Sequence, residues 1–286
     1  MTMLKKRGFT LIELLVVIAI IALLLSILMP SLKLAKKKAA SVVCMVNTKN
    51  LTLAWRMFST ENDGDLVGAQ YDTTDARGDR IGWIREARDE SGTIPGYFSQ
   101  TPEVTEQDEI RGIEDGSLYP YLKGPKVYHC PADNSHRGFD GSGIFTSYTI
   151  AACLNSGGVV PDIKKLTKIT SPSERYVFVE TGEERNFNMG GSFSLGAPEY
   201  LFVAGGYATQ EWSWWSPLAV NHGDSSILGF CDSHAETHKW RDQGTIDRVT
   251  KLRDQNVRWY GVEDPLPGQT EDIAYMAKGW AYRYKQ

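Results

Sequence analysis

Apolar residues run almost without a break from Phe9 to Met29, preceded by Lys5, Lys6 and Arg7 and interrupted by one carboxylate, Glu13. About 20 mostly apolar residues in a helix cross the ~30 Å hydrocarbon core of a bilayer, so this stretch is long enough to span one. From Ser31 to Thr60 no glycine occurs, and Leu34, Val42, Val43, Val46, Leu51, Ala54, Met57 and Phe58 recur at roughly helical spacing. The pattern predicts a single helix from Phe9 to Thr60, about 78 Å long at 1.5 Å per residue, whose amphipathic second half lies against a globular domain. It should stop at Glu61-Asn62-Asp63-Gly64-Asp65, where turn formers cluster and a glycine can take the left-handed cap. That acidic turn lacks the full twelve-residue ligand loop of a calcium site.

Residues 66–120 read as loop-rich, with 81–88 (IGWIREAR) as a short helix or strand and the acidic stretch 99–117 as a surface insertion. Thereafter short β-prone runs alternate with turns at 126–131, 145–151, 175–180, 226–231 and 235–240. These predict an antiparallel sheet with one face covered by the long helix, an α+β layer pair with loop-rich insertions. Trp212, Trp214 and Trp215, with Tyr207 and the glycines of 190–206, form an aromatic loop that either plugs a core or stacks on sugar or peptide. The tail predicts a helix from Thr245, a turn at 263–268 and an aromatic close at Trp280, Tyr282 and Tyr284.

With 42% hydrophobic and 23% charged residues over 286 positions, the chain has the composition of a folded protein. A net charge of -4 gives no general case for nucleic-acid binding, and the basic cluster outside the leader is Lys33, Lys36, Lys37 and Lys38, just past the apolar run. Because basic residues flank the span on both sides, the positive-inside rule does not set its orientation. Nothing in the sequence matches a nucleophile elbow, a P-loop or a dinucleotide fingerprint, so no enzyme class and no cofactor is expected.

Two ordinary accounts of the N-terminus each leave something over. A secretory signal peptide is followed by a small-x-small cleavage site, whereas Met29, Pro30, Ser31 and Leu32 come next here. A plain signal anchor gives no reason for Glu13, which inside a span costs ~2.5 to 3.5 kcal/mol. The run Lys5-Lys6-Arg7-Gly8-Phe9-Thr10-Leu11-Ile12-Glu13 closely resembles the signal of type IV prepilins and type II secretion pseudopilins. That resemblance implies cleavage between Gly8 and Phe9 by a prepilin peptidase, N-methylation of Phe9, and an assembly role for Glu13, the fifth residue of the mature chain. A glycine before the cut suits a tight peptidase site, since it has no Cβ. Pro30 falls where pilins often carry a helix-kinking proline. The implied organisation is a leader at 1–8, a transmembrane helix at 9–30, its amphipathic continuation at 31–60 and an extracytoplasmic domain at 61–286. The implied location is the inner membrane, single-pass, with the C-terminal domain in the periplasm or outside the cell. The implied partners are the peptidase, copies of the chain or other pilin-like subunits, an inner-membrane assembly platform and membrane lipid.

A second stretch, from His222 to His234, resembles the H-x9-DG signature of a large group of prepilin-like proteins, with Ser233 in the glycine position. A hairpin turning at Asp232-Ser233 would put His234, Glu236 and His238 on one face with His222 close by, a ligand set that suits zinc. In the alternative, Asp232 holds the turn and His222 packs beside it, fixing two strands in register. Cys44, Cys130, Cys153 and Cys231 allow three pairings. A Cys130–Cys153 bridge closes a short loop, a Cys44–Cys130 bridge ties the helix to the sheet, and Cys130 is expected in whichever forms. The functional expectation is a filament subunit of a secretion pseudopilus or pilus-like fibre. The rival is a membrane-anchored metal-dependent enzyme or carbohydrate-binding protein using His222, Asp232, His234 and His238.

Overall fold

The computed structural model describes residues 11–92, 105–133, 145–157, 161–181, 192–196, 212–216, 218–255 and 270–282. Helix α1 spans Leu11–Glu61 and runs through Pro30. Along the apolar part, the hydroxyls of Ser26 and Ser31 turn back on the helix and donate to the carbonyls of Leu23 and Leu28 at 2.7 and 2.8 Å, which keeps these polar groups satisfied within the helix itself. The chain divides into two units, residues 1–40 and 41–286. In the first, the large apolar side chains from Leu11 to Leu34 are exposed all round the helix. A helix that is apolar on every side belongs in a core or a bilayer.

In the second unit α1 buries Cys44, Asn47, Thr48, Leu51, Thr52, Ala54, Trp55, Phe58 and Ser59, a stripe stepping by three and four residues. The helix ends at the expected turn. Asp63 and Gly64 take φ of 51° and 81°, and the Gly64 N–H returns to the Ser59 carbonyl at 2.8 Å.

The sheet is built from β1 (Tyr148–Ala151), β2 (Tyr176–Glu180), β3 (Ser192–Phe193), β6 (Ser225–Phe230) and β7 (Ala235–Lys239), in the order β3-β1-β2-β6-β7. A two-stranded pair joins β4 (Leu195–Gly196) to β5 (Ser213–Trp214). All neighbours are antiparallel except β1 and β3, so the sheet is mixed at one edge. Residues of β1 and β2 are buried throughout, which requires cover on both faces, whereas the edge strand β7 is largely open. Helix α1 lies very close to β6: a Cβ on Gly229 would fall 2.6 Å from Thr52 Cγ2 and 2.7 Å from Thr48 Cγ2, so only glycine lets the helix settle there. The resulting architecture is the expected α+β, pilin-like layer arrangement.

Several local expectations change. Residues 126–131 do not form a strand; Pro125–Tyr128 is a 3-10 turn, started by Pro125 at its first position. Residues 81–88 form no regular element, yet Trp83 and Ile84 are fully buried, and the segment's backbone is held by Trp83 N–H to the Gly68 carbonyl at 3.0 Å and by Arg85 N–H to the carbonyl of Gly112, within residues 106–114, at 2.8 Å. The acidic stretch is not merely a surface insertion. It contains α2 (Glu106–Glu114), capped by Thr105 and Asp108 and burying Asp108, Glu109, Gly112 and Ile113. Helix α3 spans Tyr119–Leu122. In the tail, α4 starts at Gln243, two residues before Thr245, and an unforeseen α5 (Thr270–Gly279) packs against β2, with the Tyr176 hydroxyl donating to the Met276 carbonyl at 3.0 Å. Trp280 is buried, whereas Tyr284, Tyr207 and the turn at 263–268 lie outside the described residues. Trp214 is buried edge-on to Trp240 at 6.2 Å, so this part of the aromatic loop fills core.

Candidate functional site

Four elements deliver four chemically distinctive side chains to one buried point. Cys44 opens the buried stripe of α1, Cys130 follows the 3-10 turn, Glu180 ends β2, and His222 stands in the segment before β6. Cys44 and Cys130 form a disulfide with Cα atoms 5.3 Å apart, a separation in the normal range for an unforced bridge. Beside it, His222 Nε2 lies 3.1 Å from Glu180 Oε1 and 3.5 Å from Cys130 Sγ. The other oxygen, Glu180 Oε2, accepts the Ile227 N–H of β6 at 2.9 Å.

The His222 and Glu180 side chains are 3% and 0% exposed. Burial pushes the Glu180 carboxyl above the ordinary carboxylate range, opposed by the His222 ring and the Ile227 N–H. The disulfide holds α1 against the chain entering β1, a tie strengthened by Asn47 Nδ2, which donates to the His129 carbonyl at 3.1 Å. The remaining cysteines, Cys153 and Cys231, are buried free thiols, and burial pushes Cys153 up to about 12.

The turn of the hairpin between β6 and β7 is a separate construction. Asp232 Oδ1 accepts from the His234 backbone N–H at 3.2 Å and pairs with His234 Nδ1 at 2.5 Å, while the His234 ring stacks on Phe230 at 4.3 Å. Burial alone would raise the Asp232 carboxyl, but these His234 contacts outweigh it and hold it below the ordinary range. Ser233 adopts φ 79°, in the left-handed region that favours glycine, the residue type of the signature at this position. His238 stacks on Tyr275 at 3.7 Å and meets Trp240 edge-on.

His222, Asp232, His234 and His238 therefore do not share one centre. Among the described residues, the one group of three or more side chains placed to hold a metal is Cys44, Cys130, Glu180 and His222, whose donor atoms all lie within 4.8 Å of one another. Glu180 closes the β-prone run 175–180 and is not among the ligands that the sequence pattern suggests. The one available signal was a carboxylate closing the otherwise apolar run Tyr176-Val177-Phe178-Val179.

At the other end of the chain, Gly8 and Phe9 lie outside the described residues, and Glu13 is exposed in the first turn of α1. Among the described residues α1 is the one helix long and apolar enough to cross a membrane. Residues 3–29 match the family described as the prokaryotic N-terminal methylation motif. A 59-residue stretch, 21% of this chain, is 41% identical to the type IV wide pilus major component PilA4 of Thermus thermophilus. The match spans 45% of that relative's length. No solved structure matches the chain. The methylation motif covers the start of the long apolar helix α1 and an α+β domain follows it, and in these features the chain is similar to type IV pilin-like proteins.

Proposed function

We propose that the chain is a structural subunit of a type IV pilus-like filament or type II secretion pseudopilus. The observation that carries this reading is the junction of the methylation motif at 3–29 with the all-round apolar helix that begins at Leu11. On this reading a prepilin peptidase removes residues 1–8, Phe9 is N-methylated, and residues 9–30 hold the precursor in the inner membrane with the domain from residue 61 outside the cytoplasm. Assembly then carries the helix from lipid into a bundle of like helices on an inner-membrane platform. The exposed apolar surface of α1 suits both environments, because packing against neighbouring helices replaces packing against lipid tails at little cost. The buried stripe from Cys44 to Ser59 and the disulfide fix how the domain holds its own part of α1.

Mass spectrometry of the N-terminus tests the reading. The expected mature chain begins at Phe9 and carries one added methyl group; a chain that begins at Met1, or beyond Pro30, overturns it.

A further inference from the structure

The cluster around His222 offers four donors: two sulfurs, one carboxylate oxygen and one imidazole nitrogen. Glu180 is already oriented for a single contact, since Oε2 is taken by the Ile227 N–H and Oε1 faces the cluster. Around a tetrahedral zinc ion with bonds of roughly 2.0 to 2.3 Å, ligand atoms stand about 3.3 to 3.8 Å apart. The observed Nε2–Oε1 and Nε2–Sγ separations, 3.1 and 3.5 Å, are close to that spacing.

The imidazole proton can sit on either ring nitrogen. His222 Nδ1 is buried without a hydrogen-bond partner. A proton on Nε2 leaves the Nδ1 lone pair stranded in the core. A proton on Nδ1 is equally without a partner, but it leaves the Nε2 lone pair facing an oxygen and a sulfur, an array of electron pairs that a cation completes.

We propose that Cys44, Cys130, His222 and Glu180 bind one Zn2+ when the two cysteines are reduced, so that disulfide and metal are alternative occupants of one site. A dithiol reductant gives two electrons and two protons to the S–S bond and is itself oxidised to a disulfide. Zn2+ then displaces both thiol protons and is held by two thiolates, the Glu180 carboxylate and neutral His222. Two thiolates and one carboxylate leave the loaded site with one net negative charge, which the Ile227 N–H helps to stabilise. This mixture of sulfur, nitrogen and oxygen donors in a closed, buried shell suits zinc rather than the all-oxygen cations. The disulfide ties α1 to the chain entering β1, and the metal ties it there and also to β2 and to the chain ahead of β6, so the helix keeps its seat under reducing conditions, where a disulfide does not persist.

The test uses the detergent-solubilised full chain, reduced with excess dithiothreitol, desalted under argon and titrated with Co2+ and then Zn2+. Expected are one Co2+ per reduced chain, with thiolate-to-cobalt charge-transfer absorption and tetrahedral d–d bands, displacement by Zn2+, and no stoichiometric binding by the oxidised chain. His222→Ala and Glu180→Gln should weaken binding by about a hundredfold or more, since even outer-shell losses cost 10- to 100-fold. Absence of these bands in the reduced wild-type chain, which needs no variant to fold, overturns the proposal. Equal metal uptake by the oxidised chain, or bands unchanged in His222→Ala, does so as well.

Discussion

His222 of the His-Asp signature pairs with Glu180, on β2, at 3.1 Å, and not with the aspartate of its own motif. The carboxylate also holds the Ile227 N–H, so one side chain serves both the imidazole and the β6 backbone. A buried polar pair contributes little net stability over apolar residues, but removing one member leaves the other stranded, at ~3 to 5 kcal/mol. His222→Leu should therefore destabilise the oxidised chain by about 3 kcal/mol. Adding Glu180→Gln should recover part of that loss, because an amide still accepts the Ile227 N–H and carries no charge to strand. Denaturant melts of both single variants and the double variant decide it; simply additive losses would show that the pair is not coupled.

The hairpin turn gives a prediction of opposite sign. Ser233 holds a left-handed backbone that costs a residue with Cβ about 1 to 2 kcal/mol, and its hydroxyl is buried without a partner. Ser233→Gly removes both penalties at the cost of a more flexible unfolded chain, so it should stabilise by about 0.5 to 1 kcal/mol. For a domain of this size that is a rise of roughly 2 to 4 °C per kcal/mol in melting temperature. Asp232→Ala should lower the melting temperature, losing contacts to His234 worth ~0.5 to 1.5 kcal/mol each. A fall on Ser233→Gly would mean that the turn reads the serine side chain itself.

These cases show what the sequence could reveal. The long helix, β1, β2 and the β6–β7 hairpin were legible because each carries its own period or turn chemistry, and apolar spacing is a local signal. The 3-10 turn at Pro125–Tyr128 was hidden by strand-prone Val127 and Tyr128, although Pro125 after Gly124 marks a turn start. Helix α2 was hidden by its charge. Its capping pair Thr105 and Asp108 is a readable start signal, but the burial of Glu109 runs against the rule that carboxylates stay in water. The partnership of His222 with Glu180 joins residues 42 apart and depends on strand pairing, which no local pattern encodes.

Glu109 itself makes the stability of the domain depend on pH. It is fully buried, and its Oε2 accepts the Phe145 N–H. Burial, aided by the nearby charges of Glu106 and Asp108 and opposed by the Phe145 N–H, raises it from 4.5 to about 8. In the folded state the carboxyl thus keeps its proton to about pH 8, whereas in the unfolded chain it loses it near 4.5. Its stabilising contribution is fully present below the lower value and is lost as pH rises through the upper one. Glu109→Gln keeps an acceptor for Phe145 and removes the titration. The melting temperature of the variant relative to the wild type should rise steadily from pH 5 to 8 and level off above. A constant difference across that range would show that Glu109 is ionised in the folded domain.

Glu13 bears on assembly. On the processing proposed above, the mature chain has a methylated amine at Phe9 and a carboxylate four residues on, one helical turn or about 6 Å along the axis. An acid at membrane depth costs ~2.5 to 3.5 kcal/mol on insertion scales, so a chain that keeps one there gains by pairing it. In a growing filament, the amine of an incoming subunit can meet the Glu13 carboxylate of a neighbour. Desolvation offsets most of the attraction, so the pair sets axial register, while the apolar faces from Leu14 to Met29 supply the packing. Glu13→Leu should therefore leave cleavage after Gly8 and membrane insertion intact, since it makes the span more apolar. It should block or strongly reduce incorporation into filaments, because misregistered subunits gain the same packing as registered ones. Co-expression with the wild-type chain, N-terminal mass spectrometry of the variant and cysteine crosslinking along α1 separate these steps. Efficient co-assembly of a correctly processed Glu13→Leu chain would rule out charge pairing as the register device.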